Sequence, residues 1–163
     1  MRIQIALVTL AMTAGAVMAQ DDVRPRPYRL SVGTYDASTG GSRTSFNGSY
    51  DLALKSQKSS AKYSVYVDTN SKRRNGVTNS LTGFGASIRL EDNDGKSGGH
   101  LYRGAGLGLY TIKAGATRSR MGGKLFVGYE RKEGVFAEAD YTLIPKVSGV
   151  NASGLGLSLG YRF

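Results

Sequence analysis

The chain has 163 residues, a formal net charge of +10, 23 glycines and 10 tyrosines, with no tryptophan and no cysteine. That length bounds it to one domain of modest size, and without cysteine it has neither a disulfide nor a lipid-anchor thiol. The basic balance raises nucleic acid as a partner, but no basic helix and no aromatic-stacking motif appears, so nucleic-acid binding is not expected.

At the N-terminus Arg2 is followed by an uncharged apolar run from Ile3 to Val17 and by Val17-Met18-Ala19, small residues where a signal peptidase cuts. This predicts a cleaved secretory signal over residues 1–19. The run is shorter than the roughly 20 residues of a spanning helix. Residues 20–27 read as a polar leader that Pro25 and Pro27 keep out of a sheet interior. The folded domain is expected over 28–163.

From Tyr28 onward the apolar residues recur with period two and helical periodicity is absent, which is the pattern of strands. Strands are predicted at Tyr28–Thr34, Phe46–Lys55, Ala61–Asn70, Leu81–Leu90, Leu101–Ile112, Met121–Glu130, Val135–Leu143 and Gly154–Phe163. Residues 36–44, rich in Ser, Thr and Gly, read as a loop, as do the basic stretch from Lys72 to Gly76, the acidic stretch from Glu91 to Gly99, and Pro145–Ser153. Every connection is too short for a parallel crossover, so the strands are antiparallel. About ten tilted residues per strand match the roughly 25 Å apolar band of an outer membrane.

Alternation alone leaves open a soluble barrel with an oily cavity and a membrane barrel with a polar lumen. The contents of the polar face decide. Its many glycines suit a narrow interior in which Tyr66, Tyr102, Tyr110 and Phe126 lie over them. Its charges nearly balance: Arg29, Lys55, Lys62, Arg89, Lys124 and Arg162 against Asp51, Asp68, Glu130, Glu138 and Asp140, a set expected to pair inside a lumen. On a lipid face each Arg or Lys would cost about 2–4 kcal/mol at mid-membrane. The opposite face supplies two aromatic girdles: Tyr28, Tyr63, Tyr129, Tyr161 and Phe163 at the end of the termini, and Phe46, Tyr50 and Tyr141 at the other. Arg103, the one misfit on that face, is expected near an interface where it can snorkel.

In the last ten residues, GLGLSLGYRF, Leu155, Leu157, Leu159, Tyr161 and Phe163 share one face without error. The stretch resembles the carboxy-terminal signal of the small eight-stranded outer-membrane β-barrel proteins, the OmpX/OmpA-like, porin-like family, and the resemblance extends over essentially the whole mature chain. It implies an eight-stranded antiparallel up-and-down transmembrane barrel with a polar, side-chain-filled lumen. It also implies that the barrel-assembly machinery reads Leu155, Leu157, Leu159, Tyr161 and Phe163 during biogenesis. No peptidoglycan-binding domain is expected after the barrel, and the loops are short for an adhesin.

Other motifs carry less. His100 is the only histidine, and no serine or acid is placed beside it for catalysis. Asp92-Asn93-Asp94-Gly95 starts like a calcium loop but lacks the later bidentate acid. The glycines 104, 106 and 108 share a strand face with no helix following, so they are no phosphate cradle. Glu138 and Asp140 are expected to pair with Lys124, Arg162 or Arg89 rather than do acid-base work. Neither metal nor cofactor is expected. Arg43, Lys72, Arg73, Arg74, Arg118, Arg120 and Lys146 are read as loop cations on one rim, able to engage phosphates of lipopolysaccharide. The expected role is a monomeric, non-enzymatic outer-membrane barrel with structural or surface-interaction duty. The alternative is a small porin-like channel in which Arg29, Lys124 and Arg162 select anions.

Overall fold

The computed structural model describes residues 26–39, 41–53, 61–74, 77–92, 98–114, 116–146 and 150–163. The predicted signal peptide, most of the leader, and Lys55 lie outside these residues. Eight strands follow one another: β1 (Tyr28–Ala37), β2 (Gly41–Asp51), β3 (Ala61–Arg74), β4 (Val77–Asp92), β5 (Gly99–Ala114), β6 (Ala116–Arg131), β7 (Val135–Leu143) and β8 (Gly154–Arg162). Each pairs antiparallel with the next, and β8 pairs with β1 to close the barrel.

The register fixes its shape. From Ala37 the pairing runs through Gly154, Thr142, Lys124, Gly106, Ser87, Ser64 and Asp51, whose N–H donates to Pro27 O at 2.8 Å. One circuit therefore returns to β1 ten residues lower, from 37 to 27. Such a stagger on eight strands tilts them by roughly 40° and leaves an interior only wide enough for side chains.

Burial is inverted relative to a soluble protein. Leu107 is 70% exposed and Phe84 and Leu159 65%, whereas Arg89, Tyr102 and Tyr110 are 1% exposed. A barrel that hides arginine and shows leucine is built for lipid outside and polar groups inside, which removes the soluble alternative. The lumen glycines make room for rings: Tyr110 lies against Gly83 and Gly122, Tyr102 against Gly128, Phe126 against Gly104, and Tyr66 against Gly85 and Gly108. A Cβ at any of these positions would collide with the ring above it.

Strands near the far end run longer than the sequence suggests. The last β2–β3 pair is Thr44–Ser71 and the last β6–β7 pair is Gly123–Leu143, so Lys72–Arg74 and Ala116–Gly122 stand above their shorter neighbours as a raised wall. Residues 36–37 and 41–44 belong to paired strands rather than to a nine-residue loop, with Ala37 opposite Gly41, whose φ is 67°. The cause is a belt of hydroxyls on the outer face. Thr34 pairs with Thr44, and Thr69 pairs with Thr82, which pairs with Thr111. Threonine suits a strand and its hydroxyl suits a headgroup layer, yet its composition imitates a loop.

The outer face also corrects one girdle. β2 starts at Gly41, five residues before the predicted Phe46, so Tyr50 ends opposite Tyr28, with ring centroids 5.0 Å apart, and belongs to the end of the termini. Phe163 lies 5.9 Å from Tyr28. Tyr63, Tyr129 and Tyr161 sit at the same end, next to Ile88, Leu101 and Val135. Phe46, beside Thr69, and Tyr141, beside Leu155, remain in the far half.

Candidate functional site: a sealed lumen beneath a basic mouth

Period-two alternation sends every second side chain inward, and the inward groups stack in layers along the barrel axis. At the end of the termini, Asp51 Oδ2 accepts from Arg89 Nη2 at 2.6 Å and from Arg162 Nη2 at 2.7 Å, while its Oδ1 accepts from Ser64 at 2.6 Å. Glu91 meets Lys62 at 2.9 Å and Arg89 at 3.1 Å, and Glu130 meets Arg162 at 3.1 Å. His100 adds a 3.7 Å approach to Glu91 and makes no other ion pair among the described residues. Arg29 lies flat between rings, 3.9 Å from the Phe136 centroid and 4.7 Å from that of Tyr102, and its Nη2 donates to the Tyr102 hydroxyl at 2.6 Å.

Higher in the lumen Lys124 is shared by Asp68 at 3.3 Å, Glu138 at 3.8 Å and Asp140 at 3.9 Å. Glu138 also meets Arg29 at 3.5 Å and accepts from Tyr102 at 3.0 Å. Asn47 ties this layer to the wall, its amide oriented to donate to Asp68 at 3.2 Å and accept from Ser31 at 3.1 Å. Between the two ionic layers lies a cavity of about 40 Å³ walled by Ser31, Ser49, Ser64 and Ser87, space for no more than a few waters.

Above Lys124 the character changes. Tyr66 and Tyr110 share a hydroxyl hydrogen bond of 2.9 Å, and over them Tyr35, Ala37, Leu81, Ile112, Ile144 and Ala152 pack into an apolar plug. After β7, Ile144, Ala152 and Ser153 complete it. Tyr35 donates to Ala152 O at 2.7 Å, the Ile144 N–H donates to Ser153 Oγ at 2.9 Å, and the Ser38 N–H donates to Ser153 O at 2.8 Å.

The ion pairs thus join five cations and six carboxylates among the described residues, leaving the interior no positive excess with which to attract anions. Apart from Lys55, every residue read as a lumen charge points inward and has a partner of opposite sign. Glu138 and Asp140 reach Lys124, but Arg89 and Arg162 turn to Asp51 and Glu91 instead. Glu91 was missed, being placed in a turn; it is 7% exposed at the end of β4, and its spacing of two from Arg89 was the available signal.

The basic rim is rearranged. Arg43 is not on a loop: it lies on β2 opposite Tyr35, 8% exposed, inside the mouth. Lys72, Arg73 and Arg74 belong to β3, and Arg118 and Arg120 to β6, because paired strands carry them above the barrel; the side chains of Arg73 and Arg74 lie outside the described residues. Arg118 and Arg120 are exposed and share the inward parity of Lys124, so they overhang the mouth. Lys146 is exposed beyond β7. Lys113 is also exposed, on the outward side of β5 above Thr111. Leu155, Leu157 and Leu159 of the terminal strand are 50–65% exposed toward lipid, with Tyr161 and Phe163 half-buried.

No family model and no curated protein matches the sequence. Among solved structures the chain is similar to Neisserial surface protein A, at 20% identity and a TM-score of 0.62 over 83% of this chain and 92% of that one. It is also similar to the N-terminal β-barrel domain of Pseudomonas aeruginosa OprF, at 16% identity and a TM-score of 0.50 over 85% of this chain and 98% of that one. The chain has the fold of the small eight-stranded outer-membrane β-barrels.

Proposed function

We propose that this is a non-enzymatic, monomeric integral outer-membrane barrel whose surface role lies in its basic far end, which engages phosphates of lipopolysaccharide. The observation that carries the reading is the division of charge: the lumen is balanced and plugged, while Lys113, Arg118, Arg120 and Lys146 are exposed at the far end, where Asp36 is the only exposed acid among the described residues. Guanidinium and ammonium groups bind phosphate through short charge-assisted hydrogen bonds. Lys113, outward and just above the threonine belt, stands level with lipid-linked phosphates beside the barrel. Arg118 and Arg120 reach sugar-borne phosphates over the mouth.

Insertion through the barrel-assembly machinery fits the same reading, with Leu155, Leu157, Leu159, Tyr161 and Phe163 on the lipid side of the strand that closes the barrel. The ionic layers and the apolar plug weigh against the channel alternative, since Arg29, Lys124 and Arg162 are each committed to carboxylates. The test is binding of lipopolysaccharide to the refolded barrel and to a Lys113→Gln/Arg118→Gln/Arg120→Gln variant across salt concentrations. Loss of three exposed contacts should weaken binding roughly three- to hundredfold and flatten its salt dependence. Unchanged affinity at low salt removes the reading.

A further inference from the structure

Between the tyrosine girdle and the threonine belt, the outer face carries one charged side chain among the described residues, Arg103. It pairs in register with Leu90 on one side and Val127 on the other, next to Leu101, which pairs with Tyr129 of the girdle. It is exposed and makes no ion pair with any described residue. A guanidinium at the edge of hydrocarbon reaches for the headgroup layer and there finds lipid phosphate.

An open apolar groove of about 560 Å³ is lined by Leu101 and by Val127, the register partner of Arg103. Ala137 and Ala139 form its floor, Val127 and Tyr129 one wall, and Leu157 and Leu159 the other. The register makes the juxtaposition definite: Arg103, Val127, Ala139 and Leu157 are successive cross-strand neighbours in a single row. The groove exists because two alanines stand where the adjoining strands carry larger side chains. In a bilayer such a groove is filled by an acyl chain, which gains dispersion contacts along both walls.

We propose that Arg103 and this groove form a binding site for one anionic phospholipid, its phosphate on the Arg103 guanidinium and one acyl chain over Ala137 and Ala139. A net negative headgroup is favoured over a zwitterionic one, whose ammonium would oppose Arg103. The proposal rests on the membrane-barrel reading and places the lipid in the leaflet on the side of the termini, away from the basic mouth.

The test is native mass spectrometry of the refolded protein released from vesicles of equimolar phosphatidylglycerol and phosphatidylcholine with identical chains. One retained phosphatidylglycerol per barrel is expected. Arg103→Gln should lower its retention about tenfold and Arg103→Lys less, and Ala139→Leu, which fills the groove, should lower it with the charge intact. A heat-modifiable gel shift checks that each variant is folded, and unaltered lipopolysaccharide binding separates this site from the mouth. Equal retention of the two lipids, or no change in both Arg103→Gln and Ala139→Leu, would overturn the proposal. A dimer in the spectra that Ala139→Leu abolishes would also overturn it, by giving the groove to a second copy.

Discussion

Asp51 and Arg89 meet at 2.6 Å across the lumen although they stand on β2 and β4, which are not neighbours in the sheet. The contact reaches over β3, and Arg162 closes on the same carboxylate oxygen from β8, over β1, at 2.7 Å. Removing Asp51 would take the shared carboxylate from both guanidinium groups, leaving Arg89 with Glu91 and Arg162 with Glu130. Asp51→Ala is therefore expected to cost about 3–5 kcal/mol, read as a lowered urea midpoint of the refolded barrel. Ser64→Ala, which removes one hydrogen bond to the same carboxylate, should cost about 1 kcal/mol. Equal effects from the two would contradict a layer centred on Asp51.

Two glycines on the same strand should respond oppositely to a single methyl group. Gly128 lies under the Tyr102 ring, and a Cβ there would also stand 2.6 Å from Ala137 O, whereas a Cβ at Gly123 would find its nearest neighbour at 3.7 Å. Gly128→Ala should destabilise by about 1–3 kcal/mol through overpacking, and Gly123→Ala should be neutral or slightly stabilising. Thermal midpoints from the gel shift distinguish them.

The plug at the mouth hangs on the Tyr35 hydroxyl. Tyr35→Phe keeps the ring in the apolar cluster but leaves the Ala152 carbonyl without that donor, at a cost of about 1 kcal/mol. Hydrogen exchange should quicken at residues 150–153 and leave the central β3–β6 ladder as protected as before. Uniform loss of protection would mean the segment is part of the barrel's global stability.

Export makes its own mark. The protein isolated from outer membranes should begin at Gln20, which N-terminal sequencing or intact mass reads directly. A retained residue 1 would contradict the cleaved signal.

How much of this could be read in advance follows from what the alternation was made of. β7 was bounded at Val135–Leu143 from sequence alone, because apolar residues alternate with charged or bulky ones up to a tight turn. β2 was misplaced because its far half, Gly41–Ser45, replaces the apolar outer face with Ser and Thr where the surroundings pass from hydrocarbon to headgroup, and that shift also carried Tyr50 to the wrong end. The partners of Asp51, Lys124 and Arg29 depend on side chains meeting across the bore. Alternation gives the face a residue takes; only the ten-residue stagger gives its level, so of the three cations expected near Glu138 it meets Lys124 and not Arg89 or Arg162, and it gains Arg29. Arg118 and Arg120 looked like loop charges because nothing in their spacing reveals that β5 and β6 stay paired up to Ala114 and Ala116.

An ionic layer lies across the lumen at the end of the termini and an apolar plug fills the other end. Single-channel recording of the refolded mature protein in planar bilayers, with folding verified by the gel shift, tests that closure most directly. Folded, inserted protein should carry no current. Steady, reproducible conductance steps would contradict the sealed lumen and turn Arg29, Lys124 and Arg162 into the selectivity residues of a channel.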